Sequence, residues 1–312
     1  MKGRDLLGIG NLSAEDLWNI LHTAQRLKEE WRLGRREAPL AGKSLAMLFQ
    51  RPSLRTRISF ELAVHQLGGY AYYLSPSEVH EVQRESTADV ARVLSPFADC
   101  IVARVYRHAD LEELAAWATV PVINGYSDLS HPCQALADVL TIYEKKGRFE
   151  GVTLAFVGDG DNNVAHSLLA ASAKLGLNFA VASPPDYQPS SEYVARATEI
   201  ARRTGSRIGV YDDPRRAVAD ADIIYTDVWT SLGYEAEADH RLAVFRPYQV
   251  NSALLALAKP DVLVMHHLPA HRGEEITDEV IEGPHSIVFA QAENRLHAQK
   301  AVLYLILGAG EA

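Results

Sequence analysis

Short runs of β-branched and apolar residues alternate along the chain with longer segments whose apolar positions recur at helical spacing. That alternation predicts parallel sheets joined by crossover helices. In the first half, Ser44–Phe49, Tyr70–Leu74, Cys100–Arg104 and residues 121–124 read as strands. Residues 134–146 read as a long helix, because Lys145 and Lys146 form a basic last turn and Gly147 follows as a stop. A second series of strands then begins, at 152–157, Asn178–Ala182, 207–210, Ile223–Thr226, 262–265 and 287–289, and residues 292–307 are again helical by pattern. The fold class is therefore α/β, with two doubly wound parallel-sheet domains and a cleft between them. Residues 1–146 form the first domain and 147–291 the second, with the helix within 292–312 returning to the first. Open parallel sheets bind ligands beyond the carboxyl ends of their strands, so functional motifs are expected just after strands.

The chain has 312 residues, 47% of them hydrophobic and 23% charged, enough to bury a core in each of two domains. A formal net charge of −9 argues against a nucleic-acid partner, since no excess of Lys and Arg is available to cover a phosphate backbone. Any phosphate it binds is small and held locally. Two cysteines, Cys100 and Cys133, are too few for a disulfide framework and lack the spacing of a zinc site. Neither an apolar leader at the amino terminus nor a run of about 18 apolar residues is present, so a cytoplasmic protein without a membrane partner is expected.

After the strand ending at Phe49, the stretch Gln50-Arg51-Pro52-Ser53-Leu54-Arg55-Thr56-Arg57 leads into a helical run. Strand, polar turn and helix make the geometry of an anion site. Ser53 is placed to cap the helix, whose first free N–H groups carry the positive end of its dipole. Ser53 and Thr56 add hydroxyls, and Arg55 adds a planar fork suited to phosphate. Residues two apart on a helix point about 200° from each other, so Arg57 belongs to a structural ion pair. An ordinary capped helix with solvated arginines is the alternative reading of Ser53 alone.

A second motif, His131-Pro132-Cys133-Gln134, opens the long helix. Proline at a first helical position is a start signal. His131 is suited to donate to a carbonyl oxygen and Gln134 to read an amide. Arg104, at the end of its strand, shares that edge of the sheet, and a buried arginine needs an anionic partner. Ser53, Arg55, Thr56, Arg104, His131 and Gln134 thus converge on one ligand that carries a phosphate and an amide carbonyl. In the second half, Gly158-Asp159-Gly160-Asp161-Asn162-Asn163 also follows a strand, but its third glycine is missing and its two acids would repel a pyrophosphate. Asp227 closes the strand Ile223–Thr226, where its carboxylate suits an α-ammonium group.

These residues resemble those of the ornithine and aspartate carbamoyltransferase family. Ser53-Leu54-Arg55-Thr56-Arg57 matches its Ser-Thr-Arg-Thr-Arg motif at four of five places, and His131-Pro132-Cys133-Gln134 matches His-Pro-x-Gln. Asp227-Val228-Trp229-Thr230-Ser231-Leu232-Gly233 is similar to the ornithine-type loop Asp-x-Trp-x-Ser-Met-Gly. His266-His267-Leu268-Pro269-Ala270 is similar to His-Cys-Leu-Pro-Ala, where the aspartate type ends Pro-Leu-Pro-Arg, and Gln291-Ala292-Glu293-Asn294-Arg295 matches a further ornithine-type motif. The resemblance runs from about Ser44 onwards.

It implies transfer of a carbamoyl group from carbamoyl phosphate, bound by the first domain, to the side-chain amine of L-ornithine, bound by the second. The products are citrulline and phosphate. Carbamoyl phosphate would contact Ser53, Leu54, Arg55, Thr56, Arg104, His131, Gln134, His267, Leu268 and Arg295, with Arg55, Thr56, Arg104, His131 and His267 in the chemistry. Asn163, Asp227, Ser231 and Leu232 would hold ornithine. The family also implies trimers, and no metal or organic cofactor. Putrescine and N-acylated ornithine are alternative acceptors, and a non-catalytic relative that binds carbamoyl phosphate is the alternative from another class.

Four positions depart from the pattern. Leu54 replaces a threonine, Leu232 a methionine, and Ser77 stands where the family carries a glutamine that reaches a neighbouring subunit. The largest departure is His267 in place of cysteine. Either its imidazole takes the cysteine's polar role and accepts a proton from the attacking amine, or it turns aside and the Leu268 carbonyl holds the amine.

Overall fold

A computed structural model describes residues 1–78, 85–230 and 235–308. The chain divides into two compact units, Met1–Leu140 with Asn294–Ala312, and Thr141–Glu293. Among the described residues no helix is long and apolar enough to cross a membrane.

The first unit opens with α1 (Ala14–Arg32), whose Ser13 and Asp16 form a reciprocal capping box. There follow β1 (Ser44–Phe49), α2 (Leu54–Gln66), β2 (Tyr70–Leu74), α3 (Thr87–Leu94), β3 (Cys100–Arg104), α4 (His108–Trp117), β4 (Val122–Tyr126) and the start of α5 (Pro132–Lys146). The strands are all parallel in the order β2-β1-β3-β4. β1 and β3 are buried along their whole length, which is why they read as unbroken apolar runs rather than as alternating ones. The order reverses at β1, so the carboxyl ends of β1 and β3 flank the point where such sheets bind ligands.

The second unit holds β5 (Thr153–Val157), α6 (Asn163–Leu175), β6 (Asn178–Ala182), α7 (Ser191–Thr204), β7 (Ile208–Tyr211), α8 (Pro214–Val218) and β8 (Ile223–Thr226). It continues with α9 (Ala238–Phe245), α10 (Ser252–Leu255), β9 (Leu263–Met265), α11 (Asp278–Ile281) and the first turns of α12 (Val288–Leu307). Its five parallel strands run β7-β6-β5-β8-β9, and the reversal falls between β5 and β8. Ala155, Val157, Ile224, Val264 and Val288 lie in its core.

Two expectations change. Residues 287–289 do not form a strand. Only an isolated bridge, Val264 with Ser286, remains there, closed by Ile287 N–H donating to the Val264 carbonyl at 3.0 Å. Gln291 N–H then donates to the Ile287 carbonyl at 2.9 Å, so the backbone has already turned into α12 and Phe289 stays exposed. The β-branched Ile287 and Val288 pack into a helix start here, an instance of tertiary context overriding strand propensity. β4 also starts one residue later than expected and runs on to Tyr126, with a register shift between Ala103 and Arg104. Gly125 therefore sits in the strand rather than in the loop. A Cβ there would crowd the Ala103 carbonyl and the Val102 Cγ1, both at 3.2 Å, so the glycine lets β4 lie close against β3 at the register shift.

Candidate active site

In the first unit the turn after β1 delivers Ser53 as the N-cap of α2. Its hydroxyl accepts from Thr56 N–H at 3.4 Å and donates to Thr56 Oγ1 at 3.0 Å. Thr56 is fully buried and also accepts from Arg295 Nη2 at 2.9 Å, so α12 brings a guanidinium to the mouth of α2. Lys28 Nζ donating to Asn294 Oδ1 at 2.7 Å, and Lys300 Nζ to Gln66 Oε1 at 3.0 Å, fix α12 against α1 and α2. The side chain of Leu54 is exposed, so its own contribution at this mouth is a backbone N–H in the first turn. Arg57 turns away: it pairs with Glu61 at 3.0 Å and lies over the Tyr73 ring.

Arg104 closes β3 and is only 6% exposed. Its guanidinium lies 4.2 Å over the Tyr126 ring, and Tyr126 in turn meets His131 edge-on at 5.3 Å. Burial pushes the Arg104 pKa down to about 10. Tyr126 opposes that shift, while Arg295, Arg51 and Arg55 reinforce it by repulsion. Arg55 is lowered as well, by burial. Among the described residues neither Arg104 nor Arg55 pairs with a carboxylate. A buried guanidinium repelled by three others, with neither it nor Arg55 held by an internal carboxylate among the described residues, calls for an external anion.

Gln134 Nε2 donates to Asp138 Oδ1 at 2.8 Å, which leaves Gln134 Oε1 buried with no partner among the described residues. Burial raises both thiols, Cys133 to about 12, and the Cys133 Sγ–H donates to the Asn124 carbonyl at 3.4 Å. A thiol of that kind is inert.

In the second unit Asn162 caps α6, its Oδ1 accepting from Val164 N–H at 2.9 Å and Ala165 N–H at 2.8 Å. Its Nδ2 donates to Asp227 Oδ2 at 3.2 Å across the β5–β8 reversal. Asn163 is buried in the first turn beside it. The two acids of the Gly158–Asn163 loop are committed elsewhere. Asp159 pairs with buried Arg241, though burial still pushes its carboxyl up to about 6, and Asp161 meets His166 at 3.0 Å.

Asp227 is buried at the end of β8. Burial alone would raise its pKa, but the neighbouring His267 and the Val228 N–H hold it below the usual carboxylate value. His267 Nε2 lies 2.8 Å from Asp227 Oδ1, and its Nδ1 lies 3.1 Å from the Leu268 carbonyl. The imidazole thus bridges Asp227 and the Leu268 carbonyl. Leu268 adopts a left-handed φ of 58° and is followed by a cis peptide bond to Pro269. Its N–H donates to His266 Nδ1 at 2.9 Å, and His266 Nε2 reaches buried Glu275 at 3.0 Å.

The geometry therefore gathers Ser53, Arg55, Thr56, Arg104, His131 and Arg295 at one edge of the first sheet, with Gln134 in the first turn of α5. Asp227, His267 and Leu268 gather at one edge of the second. Ser231 and Leu232 lie outside the described residues. Ser77 bonds to Ser75 Oγ at 2.9 Å. Sequence reasoning passed over Arg51, which adds to the field on Arg104, and Tyr126, which carries it. It also passed over Asn162 as the group touching Asp227, although an asparagine directly before a helical run is a capping signal.

Residues 4–144 match the family model described as aspartate/ornithine carbamoyltransferase, carbamoyl-P binding domain, and residues 150–306 match the Asp/Orn binding domain of the same family. The chain belongs to the aspartate/ornithine carbamoyltransferase family. Within that family it is 55% identical over 308 residues to the anabolic ornithine carbamoyltransferase of Pyrococcus furiosus, covering 99% of this chain and 98% of that protein. It is 53% identical over 307 residues to the ornithine carbamoyltransferase of Anoxybacillus flavithermus, covering 98% of each. The solved ornithine carbamoyltransferase of Pyrococcus furiosus superposes with a TM-score of 0.96 over 99% of both chains at 55% identity. The anabolic enzyme of Campylobacter jejuni superposes with a TM-score of 0.91 over 97% of this chain and 98% of that one, at 34% identity.

Proposed function

We propose that this chain transfers the carbamoyl group of carbamoyl phosphate to the side-chain amine of L-ornithine, giving citrulline and phosphate. The observation that carries the reading is Arg104, a buried cation among three other arginines that pairs with no carboxylate among the described residues. Such a cluster supports binding of a small dianion. Ser53, Arg55 and the first-turn amide of Leu54 hold the phosphate that leaves. Attack by the amine gives a tetrahedral centre whose oxygen gains negative charge, and Arg104, His131 and Thr56 stabilise it, usually the largest catalytic contribution. Gln134 reads the carbamoyl amide through its open Oε1, and Arg295 adds charge on the carbamoyl phosphate side. His267 and Leu268 border the carbamoyl group.

Ornithine is assigned to Asn163, Asp227, Ser231 and Leu232, with Asp227 on the α-ammonium. The attacking amine, with a reference pKa of about 10.4 by analogy with lysine, reacts only after it loses a proton. No step calls for a metal or an organic cofactor. The family likeness also supports a homotrimer, or a multiple of trimers, working in the cytoplasm on arginine metabolism, within amino-acid biosynthesis.

The test is an acceptor panel: carbamoyl phosphate with ornithine, N-acetylornithine, putrescine or aspartate, following ureido product and phosphate together. Ornithine is expected to give both at the highest kcat/KM. Faster turnover of another acceptor would reassign the second unit, and tight binding of carbamoyl phosphate without phosphate release would mark a non-catalytic relative.

A further inference from the structure

His267 stands where the family motif has cysteine, and its surroundings specify its charge. The Leu268 carbonyl can only accept, so Nδ1, 3.1 Å away, carries a proton. Asp227 Oδ1 is a carboxylate oxygen 2.8 Å from Nε2, and a bare ring nitrogen there would set lone pair against lone pair. The Nε2 contact is an ion pair by distance rather than an aligned hydrogen bond, and it favours the ring with both nitrogens protonated. The neighbouring His266 is different, since its Nδ1 accepts from Leu268 N–H and only Nε2 is left to donate, to Glu275. The cation on Asp227 is His267.

Asp227 also accepts two hydrogen bonds. Val228 N–H donates to Oδ1 at 2.7 Å and Asn162 Nδ2 to Oδ2 at 3.2 Å. The titratable groups packed beside the pair include His266 and, held by it at 3.0 Å, buried Glu275, both from the segment after β9. An arriving α-ammonium thus meets a carboxylate that already has an internal counter-ion.

We propose that the His267 imidazolium occupies the place of the acceptor's α-ammonium on Asp227, so that the acceptor binds by displacing it and a proton leaves with the exchange. The proposal rests on the reading that Asp227 receives the α-ammonium. Once displaced, the imidazolium loses its counter-ion and lies near a second cation, which favours the neutral ring. The Nε2 proton passes to solvent while the ammonium keeps its own. Acceptor binding therefore weakens as the medium is acidified, by up to about tenfold per pH unit for one coupled proton. A thiol at this position has no such charge and gives no such dependence.

The probe is L-norvaline, which has an α-ammonium but no side-chain amine to lose a proton itself. Its binding to the full chain, with phosphate at saturation, is followed calorimetrically in buffers of different ionisation enthalpy between about pH 5.5 and 8.5, a range that brackets ordinary imidazole titration. The parent is expected to release up to one proton per norvaline, and His267→Cys and His267→Asn none, with both variants binding more tightly than the parent at the acid end. Two variants guard against one that fails to fold. A parent that binds norvaline without releasing a proton, or releases as much as either variant, overturns the proposal even if it makes citrulline from ornithine. A parent that binds no norvaline and makes no citrulline removes the acceptor reading beneath it.

Discussion

Replacing Arg104 with methionine separates what this residue does for the fold from what it does for the ligand. Its pKa is pushed down from the usual guanidinium range to about 10, chiefly by burial and then by repulsion from Arg295, Arg51 and Arg55 against the pull of Tyr126. At neutral pH the group is a cation in both folded and unfolded chains, so the shift corresponds to a cost on the order of 3 kcal/mol. Because the folded pKa lies below the unfolded one, that cost is fully present below about pH 10 and is relieved as the pH rises through it. Methionine removes the charge at similar volume but forfeits the contact with the Tyr126 ring, worth about 1–2 kcal/mol when desolvated. The ligand-free variant should be more stable by about 1–2 kcal/mol, a rise of a few degrees in Tm. Phosphate should then stabilise the parent but hardly the variant, and citrulline formation should fall roughly a hundredfold to a thousandfold. Thermal unfolding with and without phosphate, beside a ureido assay, tests all three. A variant less stable than the ligand-free parent, or stabilised by phosphate to the same degree, would refute the reasoning.

Other substitutions probe single links. Ser53→Ala removes the cap on Thr56 N–H and should cost about 1 kcal/mol in urea unfolding, while raising the KM for carbamoyl phosphate more than that for ornithine. Asp227→Asn keeps the shape but halves the acceptor capacity, so the ornithine KM should rise by roughly tenfold or more with the carbamoyl phosphate KM nearly unchanged; equal rises in both would count against Asp227 as an acceptor group. Buried Cys100 and Cys133, both with raised pKa, should resist iodoacetamide at pH 8 until the chain unfolds, as mass spectrometry would record. Rapid labelling of either thiol in the folded enzyme would contradict their burial.

The strands that sequence reasoning placed best, such as β1, β3 and β6, are buried along their length, so the apolar run and the strand coincide. Residues 287–289 read as a strand in the sequence because β-branched side chains fit a strand and a buried helix start equally well, and the hydrogen bonds of Val264 and Gln291 distinguish the two. The capped turn at Ser53 was readable because cap, hydroxyl and arginine follow one another locally. Tyr126 under Arg104 was not, since that contact joins two strands paired only in the folded sheet. The same holds for His267 on Asp227: the motif comparison marked the histidine as unusual, but its partner lies on another strand end.

The most direct measurement of the central claim uses carbamoyl phosphate carrying 13C in its carbonyl, incubated with the purified chain and ornithine and followed by NMR. The account predicts that the label appears in the ureido carbon of citrulline, one for each phosphate released, and that Arg104→Met suppresses both together. Label recovered only as carbamate or bicarbonate, or phosphate released at the same rate without ornithine, would contradict it.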